Sequence, residues 1–338
     1  VTRPTDLLQK LHIVFVATLS LTGFAAAQTQ TPAQTPAATP QSAPPSPATP
    51  AASPVYTAMR NVDFHLTDGI VVYISKLYGK LTAKPDQTVV FDDKQSFGID
   101  IDSANIALNP EAITNDLNNY VFAKPDAPLK KLAATIEGNE LTVRGLLVSK
   151  GGIPFESTGT VAITPEGMIR LHTGKLRALH LPVKGLMDML GLDTADLVNT
   201  KKVTGVSVDK DDLILDPEQI LPPPQMHGRL VDIKIENNQV LLTFGPASKD
   251  NKHAALANAC GGRNYVQFKG GAIRFGKLTM TDSDLVLIDT QPADPFDFAM
   301  DHYQDQLVAG YSKITRQGGL CVHAPDFKKL PHPAAPKN

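Results

Sequence analysis

The chain has 338 residues, a formal net charge of −2, 42% hydrophobic and 6% aromatic residues, no Trp, 27 Pro, 24 Gly and two Cys. A charge so near zero gives no long-range field for holding a polyanion, so nucleic acid is not expected as a partner. At roughly 150 residues per domain the length predicts about two domains, and the proline count places part of the chain outside any core.

The N-terminus reads as a targeting segment. Arg3 and Lys10 precede an apolar stretch from Leu11 through Phe24, and Ala25, Ala26 and Ala27 are the small residues a signal peptidase accepts. Residues 1–27 are therefore expected to be a secretory signal cut after Ala27. A membrane-spanning helix needs roughly 20 apolar residues, and this run is shorter and becomes polar in its second half. No Cys stands near the cleavage site, which disfavours a lipoprotein. The expected location is periplasmic or extracellular. Residues 28–54 are nearly all Ala, Thr, Pro, Gln and Ser. Such a segment cannot bury enough apolar surface to offset its ordering entropy, and it reads as a disordered linker. Two roles stay open for it, a spacer that holds the domain off a membrane and a neutral tail left by export.

After Val55 short alternating apolar runs are separated by Gly, Pro, Asn and Asp, the signature of antiparallel strands. Strands are predicted at 62–73, 76–84 and 97–108. A meander follows at 141–148, 157–163 and 168–176, with turns at Lys150-Gly151-Gly152 and Pro165-Glu166-Gly167. Further strands are predicted at 203–208, 213–215, 229–236 and 239–244, the last two joined across Asn237-Asn238, which suits positive φ. Two helices interrupt them. The first starts at Asn109-Pro110-Glu111, carries Ile113, Leu117, Tyr120 and Val121 at helical spacing, and ends before Lys124-Pro125. The second runs from about Pro182 to Leu190, with Val183, Leu186, Met187 and Leu190 on one stripe, and stops at Gly191. The stripe has two readings, a greasy ligand surface and ordinary core packing.

The order of elements within 99–244 carries a resemblance. A strand ends in Asp102-Ser103-Ala104-Asn105-Ile106-Ala107-Leu108 and a helix follows; then come Leu141-Thr142-Val143-Arg144-Gly145, Ile153-Pro154-Phe155 and Gly167-Met168-Ile169-Arg170-Leu171. A helix containing Leu181-Pro182-Val183 and the closing Val203-Thr204-Gly205-Val206-Ser207-Val208 complete it. In this order the chain resembles the LmeA-like family of bacterial envelope phospholipid-binding proteins, which implies a tubular lipid-binding-like fold. Residues 216–224 and everything after Pro246 lie outside the resemblance. The expected fold class is α+β, mostly β. It comprises a long curled antiparallel sheet with two amphipathic helices packed on its concave face, over residues 55–246, and a strand-rich C-terminal extension over 247–338. An apolar groove between helices and sheet, lined by Ile113, Leu117, Tyr120, Val183, Leu186, Met187 and Leu190, would take a phospholipid or another acyl-chain ligand, with peripheral membrane contact.

In the last third, strands are predicted at 265–269, 272–280 and 285–288. Beyond them Asp289, Asp294, Asp297, Asp301 and Asp305 alternate with Phe296, Phe298 and Tyr303. A calcium loop is one reading of those carboxylates. The spacing lacks the alternate-residue ligands and central Gly of the helix-loop-helix calcium motif, which favours a solvated turn and a capped helix. Cys260 and Cys321 are either a disulfide closing a loop of about 60 residues or two separate thiols. No nucleophile elbow, paired-His zinc helix, phosphate-binding loop or dinucleotide Gly fingerprint occurs. His172 and His180 lack a Cys or Glu partner. No enzyme activity, metal or cofactor is expected. The alternatives are an envelope interaction or carbohydrate-binding protein and, from another class, a secreted hydrolase whose carboxylate pair is visible only in space.

The signal assignment predicts that exported protein begins at Gln28 by intact mass. Recovery of exported chains that retain residues 1–24 would contradict it.

Overall fold

In this computed structural model the described residues are 53–84, 87–148, 151–178, 181–182, 203, 205–209, 212–245, 256 and 258–331. The expected signal segment and nearly all of the expected linker lie outside them, as does the stripe Val183, Leu186, Met187 and Leu190. The chain is mostly β, as its alternation predicts. In place of one long curled sheet, the strands divide among three.

The first strands are β1 (Val55–Thr67), β2 (Ile70–Ala83), β3 (Val89–Val90) and β4 (Phe97–Leu108). The predicted strand 62–73 is thus two strands, folded back at Asp68-Gly69, a dipeptide that forms tight hairpin turns. Helix α1 (Pro110–Asp116) continues into a π turn at Leu117–Val121. Then follow β5 (Leu129–Glu137), β6 (Glu140–Leu147), β7 (Ile153–Ile163), β8 (Ile169–Ala178), β9 (Leu181–Pro182), β10 (Val206–Asp209) and β11 (Asp212–Leu215). The third group is β12 (Gln225–His227), β13 (Leu230–Glu236) and β14 (Gln239–Phe244). Asn237 and Asn238 join β13 to β14, both with positive φ as the dipeptide predicts.

Residues 247–338, expected as an extension, supply β15 (Tyr265–Gly270), β16 (Ile273–Phe275), β17 (Leu278–Met280), β18 (Ser283–Asp289) and β19 (Phe296–Ala299). Helix α2 (Tyr303–Ala309), β20 (Tyr311–Ile314) and β21 (Leu320–Ala324) follow. Except for β16 and β17, these strands continue the main sheet, whose order is β13-β14-β4-β2-β1-β15-β18-β21-β20, with β12 paired to β4 and β19 to β1. The second sheet has the order β10-β11-β8-β7-β6-β5, with β9 on β8, and the third is β17-β16-β3.

Alternation along β1 sends Val62, Phe64 and Leu66 inward, and all three are buried. They join one core with Ile74 and Leu77 of β2, Ile106 of β4, Phe268 of β15, and Phe296 and Phe298 of β19. Ala134, Ile136, Leu141, Ile169 and Leu171 of the second sheet enter the same cluster, so the two large sheets share a hydrophobic core. Two of the bulges in the strands carry glycine. Gly79 sits at one and Gly159 at the other, where an added Cβ would stand 2.3 Å from the Asp100 carbonyl oxygen and 2.0 Å from that of His172.

Cys260 and Cys321 form a disulfide with Cα atoms 5.7 Å apart, packed with Ala58, Leu256, Tyr265, Val286 and Ile288. It ties the segment before β15 to β21. The cross-link is consistent with an oxidising, exported location. No helix among the described residues is long and apolar enough to cross a membrane.

Closing a loop of this length restrains the unfolded chain by roughly 2–4 kcal/mol. A Cys260→Ala, Cys321→Ala variant is therefore expected to lose about that much stability in urea unfolding, and an unchanged midpoint would refute the assignment.

Candidate functional site

Helix α1 begins as its sequence predicts. Asn109 accepts a hydrogen bond from the Ala112 amide at 2.8 Å, and Pro110 occupies the first turn, where no amide donor is needed. Several polar side chains of α1 and the turn after it are tied to backbone groups instead of water. The Asn118 side chain accepts from the Leu132 amide at 2.9 Å and donates to the Leu132 carbonyl at 2.7 Å. Thr114 Oγ1 accepts from the Ala134 amide at 2.9 Å, and Asn115 donates to the Gly69 carbonyl at 2.7 Å. Because β5 is an edge strand, these side chains supply partners that no further strand provides. The helix is pinned to β5 and to the β1–β2 turn, with Ile113 and Leu117 on its other side.

That other side roofs a cavity between the two large sheets. The main sheet contributes Ile106 and Leu108 of β4, Met226 of β12, Ile233 of β13, and Val240, Leu242 and Phe244 of β14. The second sheet contributes Leu141, Val161, Ile169 and Leu215, one each from β6, β7, β8 and β11. Pro217, Ile220 and Leu221 close one side, and Ile113, Asp116, Leu117 and Val121 form the roof. The space open to the centre of a water-sized sphere is about 90 Å³. Aliphatic walls of this kind, nearly free of polar groups, suit a hydrocarbon chain.

One polar side chain interrupts the wall. Asp116 is 6% exposed, and its Oδ1 has no hydrogen-bond partner. Burial pushes its carboxyl from the ordinary 3.8 up to about 8, so the group is largely uncharged at neutral pH. Burial also raises the neighbouring Tyr120 phenol, and the Asp116 charge adds to that shift.

Of the residues expected in a groove, Ile113 and Leu117 line the cavity. Tyr120 is half-buried and packs between the main core and the smaller cluster of Val121, Phe122 and Leu129, off the cavity wall. Sequence reasoning missed the sheet residues that make most of the wall. It also missed Asp116, although a carboxylate three residues after Ile113 falls within the apolar stripe.

The acidic aromatic segment differs from the expected solvated turn and capped helix. Phe296, Asp297, Phe298 and Ala299 form a buried strand because β19 pairs in parallel with β1. No side chain caps α2. Asp297 accepts from Lys328 N–H at 2.8 Å and meets His65 Nε2 at 2.5 Å. Burial alone would raise its carboxyl; the His65 and Lys328 hydrogen bonds more than offset this and hold it low. Asp63, opposite Asp297 in the register, is raised by burial and then by the Asp297 charge. The remaining carboxylates point elsewhere, Asp294 to Lys328, Asp301 to Lys94, and Asp289 to Asn264. Among the described residues no group of three or more His, Cys, Asp or Glu side chains is arranged to hold a metal ion. His172 pairs with Asp212 at 2.6 Å.

The raised Asp116 value makes a linkage prediction. The folded state keeps a proton that the unfolded state releases above about pH 4, so the associated stability is full below the ordinary value 3.8 and is lost as pH rises toward 8. The loss is about 1.4 kcal/mol per pH unit across that window. Asp116→Asn removes the proton and is expected to flatten this part of the curve, gaining on the parent by a few kcal/mol between pH 5 and 8. Urea unfolding at several pH values checks it; parallel curves for the two proteins would sink the assignment.

Comparison of this chain with protein-family models, curated proteins and solved structures finds no match.

Proposed function

We propose that this chain is an exported, non-enzymatic envelope protein that binds a phospholipid or another acyl-chain ligand in the cavity beneath α1, with peripheral membrane contact during loading. The observation that carries the reading is the cavity itself, walled by aliphatic side chains from two sheets and a pinned helix. A methylene moved from water into such a site contributes roughly 0.8 kcal/mol, so tight binding needs no catalytic group. Three further features support the reading. The N-terminal residues have the pattern of a secretory signal, the two cysteines are cross-linked, and the element order of 99–244 resembles that of the LmeA-like phospholipid-binding family.

Native mass spectrometry of the exported protein, with lipid extraction of the same sample, tests the proposal. The parent is expected to carry acyl lipid. Val161→Trp, at a partly buried wall position, is expected to fill part of the cavity. Displacing two methylenes costs about 1.6 kcal/mol, roughly fifteenfold in affinity. A parent free of lipid that also takes up none from vesicles sinks the function. Polysaccharide binding by such a protein would favour the carbohydrate-binding alternative. A folded Val161→Trp protein carrying as much lipid as the parent sinks the site.

A further inference from the structure

Among the described residues the cavity wall is apolar except at Asp116, which stands on the roof between Ile113 and Leu117. Its side chain is more than nine-tenths buried, and Oδ1 has no partner. An orphaned buried oxygen is costly, and a leucine at this helical position would avoid the cost while completing the stripe. The surrounding polar side chains do not meet its need. Thr114, Asn115 and Asn118 are committed to the backbone of β5 and of the β1–β2 turn. Among the described residues no cationic side chain lines the cavity.

An uncharged carboxyl group presents an O–H donor and a carbonyl acceptor side by side. An ester carbonyl accepts from the first, and a hydroxyl engages either. A carboxylate-headed chain is a poor match, since it would bury a full charge in an apolar space where Asp116 offers it a single O–H donor and no counter-charge. Resting on the acyl-chain reading above, we propose that Asp116 is the anchor for the ligand's head, and that the cavity selects aliphatic chains bearing an uncharged ester or hydroxyl oxygen over carboxylate-headed chains of equal length.

Four dodecyl probes test this on the full exported chain by titration calorimetry at pH 7. They are methyl dodecanoate, dodecanol, dodecanoate and dodecylammonium, each below its micellar concentration. The parent is expected to bind the ester or the alcohol on the order of tenfold more tightly than dodecanoate. A tighter ester supports a glycerolipid ester as the natural source, and a tighter alcohol supports a hydroxyl-headed lipid. Asp116→Leu is expected to bind the ester and the alcohol on the order of tenfold more weakly than the parent does, while Asp116→Asn, which keeps a donor and an acceptor, retains their affinity. Thermal melts of both variants establish that they are folded, and the Asn variant preserves the test if the Leu variant is not. Equal affinities in the parent, or ester and alcohol affinities undiminished in a folded Asp116→Leu, overturn the anchor. Tightest binding of dodecylammonium also overturns it, because Asp116 would then be acting as a counter-ion. If no dodecyl probe binds the folded parent, the acyl-chain reading itself fails, an outcome distinct from the others.

Discussion

The side-chain clamp between α1 and β5 is the interaction on which the cavity depends. Thr114 and Asn118 satisfy backbone groups of Ala134 and Leu132, on a strand with no neighbour on that side. Without them two amides at the sheet edge would have water or nothing as partner, and the helix would lose its register over the sheet. Because the clamp uses the polar side of a short helix, it fixes which residues remain to face the opposite way. Those are Ile113, Asp116 and Leu117, and they roof the space between the two large sheets.

The space exists because the two sheets share a core over only part of their faces. Around Phe64, Phe268, Phe296 and Phe298 the packing is complete, and these side chains are fully buried. Toward β13, β14 and β11 the wall is made of Ile, Leu and Val, with no Phe other than Phe244 reaching the cavity. Aliphatic side chains of middling size leave room there that the aromatic cluster fills elsewhere. Void lined by such groups forfeits dispersion contacts, so an apolar occupant recovers them at little cost. Asp116 adds a second deficit of the same kind, since its Oδ1 also lacks a partner within the chain. One occupant, a hydrocarbon chain with a neutral oxygen, would answer both.

Much of this architecture is legible in the sequence, and the failures have identifiable causes. The strands at 97–108 and 239–244 fall where alternation places them, and Asn237-Asn238 forms the hairpin that positive φ allows. Alternation across Asp68-Gly69 conceals a turn, because Val62, Phe64, Leu66 and Ile70, Val72, Ile74 keep the same even-numbered phase on both sides of it. At β5 the opposite happens. Leu129 and Leu132 are both buried although three residues apart, which reads as helical spacing. Lys131, at positive φ within a bulge, restores the inward phase, and only the pairing with β6 reveals it. The chemistry of Asp116 is likewise tertiary. A single carboxylate on a helix is ordinarily solvated, and here it lines a cavity shared with residues far along the chain, such as Pro217 and Phe244.

The last third of the chain bears on the site without touching it. β15 pairs with β1 on the side away from β2, so the strand that carries Val62, Phe64 and Leu66 is flanked on both edges. β19 adds a parallel partner farther along β1, where Asp297 meets His65 and Gln306 holds both the Asp297 carbonyl and the Ala299 amide at 2.9 Å. With the disulfide joining β21 to the segment before β15, this region holds β1 and, through it, β2 and β4 in place. β4 forms one wall of the cavity. Hydrogen bonds of this buried network tie β19 to β1 and to α2, although His65 Nδ1 is left without a partner. The relative position of the sheets around the cavity is therefore set in part away from it, which is what the proposed uptake and release of a chain would require of a site that stays open when empty.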